Sequence, residues 1–404
     1  MVSELKVSVD SARRLQIEKQ HIYEPPKKVS KKRVEETIRR LGCVQIDTIN
    51  VVERAHYLTL WTRLGQYRKD DLHTLANEDK RIFEGWGHAM CYMPMSEWRY
   101  LIAANRERAR SRIIHTGWFS RVDLDIVDYV LERVRKEGPL GSADFDGKKP
   151  SGGWWGWKPA KHALEALFSS GDLMVTRRDG FQRIYDLTER VLPNWVDTSE
   201  PTEEERQRFF TIRTLGCLGA TKPADIRFYY HNWCVKLGLT VKQIQALLDG
   251  LVEEGIAAKL SVESLRAPHY CLAEDTPRLE ELRHDWGYGG VRFVNYFDSL
   301  LWHAERLKAL FGFERALEVY LKPHQRKFGY FTVPILYKDR LVGRLDPKLE
   351  RKEKRLIVRG LWYENGFTTD EEYQNEFVKT LEDFAHFNRA EKVEWRLKNV
   401  PISA

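Results

Sequence analysis

The sequence predicts a mixed α+β, multi-domain chain: three tandem winged-helix modules followed by a β-rich C-terminal domain. Three observations carry that expectation. A unit of helix, glycine stop and two short strands occurs clearly twice in the middle of the chain. The 404 residues exceed the size at which a single core stops growing. After about residue 290 the texture turns to β-rich runs separated by polar turns. The expected boundaries are 1–118, 119–200, 201–285 and 286–404.

In the first clear copy, Pro159 opens a helix whose apolar residues Ala163, Leu164, Leu167 and Phe168 share one side, and Gly171 ends it. The strands LMVTRR and FQRIYDL then meet across Asp179-Gly180, a dipeptide that tolerates the positive φ of a two-residue hairpin turn. Leu173, Val175, Tyr185 and Leu187 alternate inward. The second copy starts at the N-cap Thr240 and runs through Val241, Ile244, Leu247, Leu248 and Leu251 to Gly255, followed by the strands IAAKLSV and HYCLAED. Each copy is preceded by a further helix and turn, which makes the unit helix, turn, helix and β-wing. Residues 1 to about 115 are expected to be a third, diverged copy, with helices near Ser11–Gln20 and Lys31–Leu41. The C-terminal domain adds a helix near Thr369–Arg389 and a last strand, KVEWRLK.

Lys and Arg number 66 against 59 Asp and Glu, a net charge of +7 that suits a polyanionic partner without requiring one. Five cysteines with no CxxC spacing give neither a disulfide framework nor a metal site, so a reducing cytoplasm, no cofactor and no metal are expected. The N-terminal stretch lacks an apolar signal core and no run of 18 apolar residues occurs, so neither secretion nor membrane insertion is expected.

The chemistry-bearing segment follows the helix capped by Ser30, whose stripe is Val34, Ile38 and Leu41 and whose stop is Gly42. The next residues, Cys43-Val44-Gln45-Ile46-Asp47-Thr48-Ile49, alternate with period two. Val44 and Ile46 are expected to enter the core, leaving Gln45 and Asp47 side by side on the other face. A carboxylate can accept a proton or stabilise a developing cation, and an amide can orient a water. The plain alternative is a polar strand face wetted by solvent.

The run LGCVQIDTINVVERAHYLTLWTRLGQY resembles the catalytic segment of the AlkZ/YcaQ-type winged-helix DNA glycosylases, whose motif is Gln, an aliphatic residue, then Gln or Asp. Here it reads Gln45-Ile46-Asp47, the form of the YcaQ-like branch. Similar stretches are WGHAMCYMP, residues 151–195 and GYFTVPILYKDRLVGRLDPK, so the resemblance covers nearly the whole chain. It implies three winged helices and a barrel-like domain around a concave DNA-binding face. It also implies monofunctional excision of N7-alkylated purines from double-stranded DNA, including unhooking of interstrand crosslinks, with Asp47 and Gln45 as the site. An N7-alkylated purine is already a cationic leaving group, so one carboxylate and a water are enough. A monomer in the cytoplasm, on the nucleoid when engaged with DNA, fits this reading.

Secondary candidates come from the same stretches. Trp86 and His88 are candidates for contact with lesion or phosphate, and Asn50 and Tyr57 for lining the cleft beside Asp47. The cluster Trp154, Trp155 and Trp157 suits stacking or a packed loop. Phosphate contacts are expected among Lys158, Lys161, Arg177, Arg178, Arg183, Arg326 and Lys327, and in the run Lys27, Lys28, Lys31, Lys32, Arg33. Two rivals stand beside the glycosylase. A non-enzymatic winged-helix regulator would bind one sequence and leave alkylated DNA intact. A metal-dependent nuclease would need a ligand cluster, and no such motif occurs.

Overall fold

The computed structural model describes residues 4–23, 25–102, 123–145, 159–230, 238–284 and 286–397. Single turns aside, its elements begin with β1 (Leu5–Val7), α1 (Val9–Lys19), α2 (Lys31–Leu41), β2 (Val44–Gln45), α3 (Ala55–Leu64), α4 (Lys69–Asn77), β3 (Ile82–Trp86) and β4 (Met90–Pro94). The middle of the chain gives α5 (Leu124–Glu137), β5 (Leu140–Gly141), α6 (Pro159–Ser170), β6 (Leu173–Asp179), β7 (Gln182–Leu187), α7 (Glu203–Leu218), α8 (Pro223–Tyr230), α9 (Val241–Glu253), β8 (Ala257–Val262), β9 (His269–Leu272) and α10 (Thr276–Glu281). Last come β10 (Val291–Phe293), α11 (Ala304–Phe311), β11 (Val333–Tyr337), β12 (Arg340–Glu350), β13 (Arg355–Tyr363), α12 (Glu371–Phe387) and β14 (Lys392–Trp395). The chain divides into two compact units: residues 1–69, 210–229 and 238–404 form one, residues 70–209 and 230–237 the other.

In the unit of residues 70–209, α5 and α6 pack on the β6–β7 hairpin. Val130 and Val134 meet Ala163, Leu164, Leu167 and Phe168, and Leu173, Val175, Tyr185 and Leu187 close the core. The short β5 adds a third strand in the order β5-β7-β6. The turn itself is Gly180-Phe181, one residue later than the sequence suggests, with Asp179 paired to Gln182. The cause is a bulge between Val175 and Arg177, which inserts one residue into β6. Only Gly180 then takes positive φ, at 60°, as a turn with glycine at its first central position requires. β3 and β4 form a second antiparallel hairpin, Ile82 opposite Pro94.

The other unit is built from both ends of the sequence. Helix α9 opens with the capping box Thr240/Gln243, and its Ile244, Leu248 and Leu251 pack with Leu215, Ile226, Ala257 and Tyr270. β1 lies parallel to β8, Leu5 opposite Leu260, so the strand nearest the N-terminus completes the β8–β9 sheet. Ala12 and Leu15 of α1 share a core with Leu260, Leu279 and Leu310.

The C-terminal sheet runs β10-β11-β12-β13-β14 and curls into a half-barrel. Its first three pairings are antiparallel, and β13–β14 is parallel because α12 intervenes as the crossover. Pro347 is tolerated inside β12 because the ladder breaks at a bulge between Asp346 and Pro347. Phe377 and Phe384 of α12 pack their rings against Phe293, and Phe384 also meets Trp61 of α3.

A fully buried ion pair ties α3 to this unit. Arg63 donates from Nη1 and Nη2 to Asp298 at 2.6 and 2.8 Å, both side chains being 0% exposed. Its other donors reach the Gln20 carbonyl, the Gln20 side-chain oxygen and the Thr59 carbonyl at 2.8–3.0 Å, so all five N–H groups are used.

Candidate active site

Helix α2 aims the segment that carries Gln45 and Asp47. The Ser30 hydroxyl accepts the Arg33 N–H at 3.3 Å, and Val34, Ile38 and Leu41 are buried on one face. Gly42 stops the helix at φ +75°, where an added Cβ would run into the Arg213 guanidinium. Arg213 donates to the carbonyls of Arg39 and Arg40, satisfying acceptors that the helix end leaves open. Arg39, Arg40, Arg33, Lys19 and Arg213, with Glu36 and Glu274, also line a cavity of about 460 Å³ beside the end of α2.

The regular strand after Gly42 is only Val44–Gln45, shorter than the alternation predicts. Asp47 itself ends it: its Oδ1 accepts the Ile49 N–H at 2.8 Å, a local bond that replaces further pairing. Val44 and Ile46 are buried as expected; Gln45 is buried too, at 9% exposure, while Asp47 is half-buried. Burial raises the Asp47 carboxyl above its ordinary pKa of 3.8, outweighing the backbone N–H groups of Ile49 and Thr48 that lower it. Among the described residues Asp47 forms no ion pair.

The segment beyond Asp47 is fastened to β12 and its hairpin. The Leu349 N–H donates to the Val51 carbonyl at 3.1 Å, and Arg351 donates to the Val52 carbonyl at 2.8 Å and to the Asn50 side chain. Asn50 is therefore exposed but engaged by Arg351. Tyr57 belongs to the packing of α3: it is buried against the His56 ring, with the Lys69 ammonium 5.1 Å from its own ring centre.

Trp86 and His88 lie in the unit of residues 70–209. Trp86 is half-buried against the α5–α6 core, and His88 is half-buried in the turn between β3 and β4. Of the basic candidates there, Arg177 is exposed and lies 3.4 Å from Asp179. Arg178 is bound at both ends by the buried Glu84 carboxylate, each bond 2.6 Å, and Arg183 pairs with the buried Glu165. These two arginines hold the hairpin to its neighbours. Lys161 is half-buried on α6. Lys158 and Trp154, Trp155 and Trp157 lie outside the described residues.

In the unit that holds Asp47, Lys327 is exposed, whereas Arg326 donates to the Leu321 carbonyl at 2.9 Å and stacks on Tyr330, 4.8 Å from the ring centre. Sequence reasoning passed over the aromatic that shares their loop. Tyr320 is 78% exposed, and the partial desolvation that remains, with the Asp47 charge second to it, raises its phenol pKa. The available signal was its setting among Lys322, His324, Arg326 and Lys327, a ring interleaved with cations.

Among the described residues no three His, Cys, Asp or Glu side chains are grouped to hold a metal, and no helix is long and apolar enough to cross a membrane. The family model described as "DNA glycosylase AlkZ-like" matches residues 38–387. Among solved structures, the Streptomyces sahachiroi DNA glycosylase AlkZ is similar with a TM-score of 0.64 at 17% identity, the match covering 97% of this chain and 100% of that one. The likeness in structure speaks for the fold, and the family match extends from α2 through the half-barrel to α12. The chain therefore belongs to the AlkZ-like DNA glycosylases, repair hydrolases that act on DNA.

Proposed function

We propose that the chain is a monofunctional glycosylase for N7-alkylated purines in double-stranded DNA, that it unhooks interstrand crosslinks made through such purines, and that Asp47 is its catalytic carboxylate. The observation that carries this reading is the state of Asp47: a half-buried carboxyl, held by the Ile49 N–H, raised in pKa by burial and, among the described residues, in no ion pair. Such a group keeps its basicity for a reacting water.

In the reaction, water attacks C1′ of the damaged nucleotide while the C1′–N9 bond breaks. The bonding pair passes to the purine and cancels its positive charge, so no strong general acid is required. Asp47 takes the proton from water and stabilises the oxocarbenium-like sugar. General-base assistance of about 10²- to 10⁴-fold, roughly 3 to 5 kcal/mol, suits a substrate already activated by alkylation. Gln45, two residues before Asp47, orients the water through its amide. No lysine nucleophile takes part, so the product is an abasic site in an unbroken strand. We read the two helix–helix–hairpin units and the N-terminal segment as three winged helices, divided as 1–118, 119–200 and 201–285, with 286–404 as the barrel-like domain. The enzyme acts as a cytoplasmic monomer on the nucleoid.

The test is base release from a duplex carrying one N7-methylguanine, with abasic sites revealed by hot alkali, and the same assay on a nitrogen-mustard crosslink. Asp47→Asn is expected to bind the duplex as wild type does and to lose at least about 10²-fold in single-turnover rate. Full activity in Asp47→Asn, or a wild-type enzyme that binds one sequence and releases no base, overturns the reading.

A further inference from the structure

The loop between α11 and β11 carries only a single 3₁₀ turn, yet it is firmly built. The Glu318 carboxylate, 7% exposed, accepts the backbone N–H groups of Lys327, Phe328 and Gly329 at 2.8–2.9 Å. Gly329 sits at φ +142°, where an added Cβ would run into the Asp346 carboxylate, itself bonded to Arg359 at 2.6 Å. The Arg344 guanidinium lies between the rings of Phe313 and Phe328, 4.2 and 4.3 Å from their centres.

Of its two tyrosines, Tyr330 is covered on one face by the Arg326 guanidinium, whereas Tyr320 stands at 78% exposure, the highest among the exposed large hydrophobic side chains described. A ring held out from a pinned backbone has already lost part of the entropy that stacking costs. Its loop also rests on the strand that fastens the Asp47 segment: Asp346 under Gly329 and Leu349 bonded to Val51 are both on β12.

We propose that Tyr320 is the platform on which the damaged purine stacks while Asp47 acts at its C1′. This rests on the reading of Asp47 given above and adds the element that selects the base. A purine alkylated at N7 presents a delocalised cation, and a tyrosine face attracts a cation beyond its ordinary stacking. The attraction lasts through the transition state, while the base still carries charge, and is lost once the glycosidic bond has broken and the base is neutral. Tyr320 therefore contributes to substrate binding and little to the chemical step, and the released base is held less tightly than the bound lesion.

The test compares two cleavage-resistant duplexes: one with 2′-fluoro-N7-methyldeoxyguanosine, which is cationic, and one with 7-methyl-7-deazadeoxyguanosine, its neutral isostere. Wild type is expected to prefer the cationic lesion. Tyr320→Leu should erase about 3- to 30-fold of that preference, and Tyr320→Phe should keep most of it. In single-turnover excision of N7-methylguanine, Tyr320→Leu should raise the half-saturating enzyme concentration and leave the maximal rate within about 3-fold.

Equal loss on cationic, neutral and undamaged duplexes would mean that the ring wedges into the helix, and would overturn the proposal; so would no loss at all. The binding comparison needs no catalysis. A wild type that prefers the cation but releases no base would count against Asp47, and an active wild type indifferent to Tyr320 would count against Tyr320 alone.

Discussion

Replacing Arg63 by Met probes the joint that carries α3, the helix entered directly from the Asp47 segment. Both members of the Arg63–Asp298 pair are fully buried, and all five guanidinium N–H groups have acceptors at 2.6–3.0 Å. In Arg63→Met the Asp298 carboxylate keeps, among the described residues, the Leu300 N–H at 3.0 Å. An unpaired buried charge of this kind costs about 3 to 5 kcal/mol. Asp298→Asn on the Arg63→Met background removes the stranded charge and retains an acceptor for Leu300. The double variant should therefore recover about 2 kcal/mol relative to the sum of the single changes. The chain has two compact units, so one melting temperature would mix them. The assay is urea-dependent hydrogen exchange read at the amides of α3 and α1. A single substitution costing less than about 1 kcal/mol at those amides, or costs that simply add in the double variant, would refute the reasoning.

On the proposed reading, the raised pKa of Asp47 bears on both activity and stability. The group must be ionised to act as a base, so kcat/KM should fall with unit slope on the acid side, with its midpoint above the 3.8 of an ordinary aspartate. A midpoint at or below 3.8 would contradict the burial. In stability the sign is opposite to that of a salt-bridged carboxylate: a folded-state pKa above the unfolded one makes the ionised group a cost. That cost is fully present above the folded pKa and disappears as pH falls through it. Asp47→Asn should consequently melt at the same or a slightly higher temperature at neutral pH, and a fall of more than about 2 °C would refute this. Arg177 and Arg178 should part company in DNA binding. Arg177→Ala is expected to lower the slope of log K against log salt by about 0.9, as for one lost phosphate contact. Arg178→Ala should leave that slope unchanged and destabilise its unit by about 3 kcal/mol, since it strands Glu84; the reverse pattern in a salt titration would refute both assignments.

Local chemistry was the legible part of the sequence. Ser30 and Gly42 bracket α2 as expected, Thr240 caps α9, and the inward alternation of Leu173, Val175, Tyr185 and Leu187 is observed. These features depend on neighbours within a few residues. The hairpin turn slipped by one because a bulge leaves no mark in a pattern of apolar and polar residues. The strand at Val44–Gln45 ended early because Asp47 bonds to its own backbone, an outcome that alternation alone cannot encode. Long-range pairing was invisible: Arg178 looked as free as Arg177 until Glu84, 94 positions away, was found to hold it. Tyr320 differs: its setting among Lys322, His324, Arg326 and Lys327 was legible, and only its exposure needed the structure.

The pairing of β1 with β8, and of Arg13 with Asp339 at 2.7 Å, has a consequence for how the enzyme is made. As a nascent chain leaves the ribosome, the first 69 residues emerge with their hydrophobic faces but without the strands and carboxylates that complete them. Residues 70–209 can close their own core meanwhile. At a synthesis rate of 5–20 residues per second, the leading segment waits on the order of tens of seconds for its distant partners. A prematurely terminated product would thus carry the Gln45–Asp47 motif in full and still lack a working enzyme, and chaperone demand should concentrate on that leading segment.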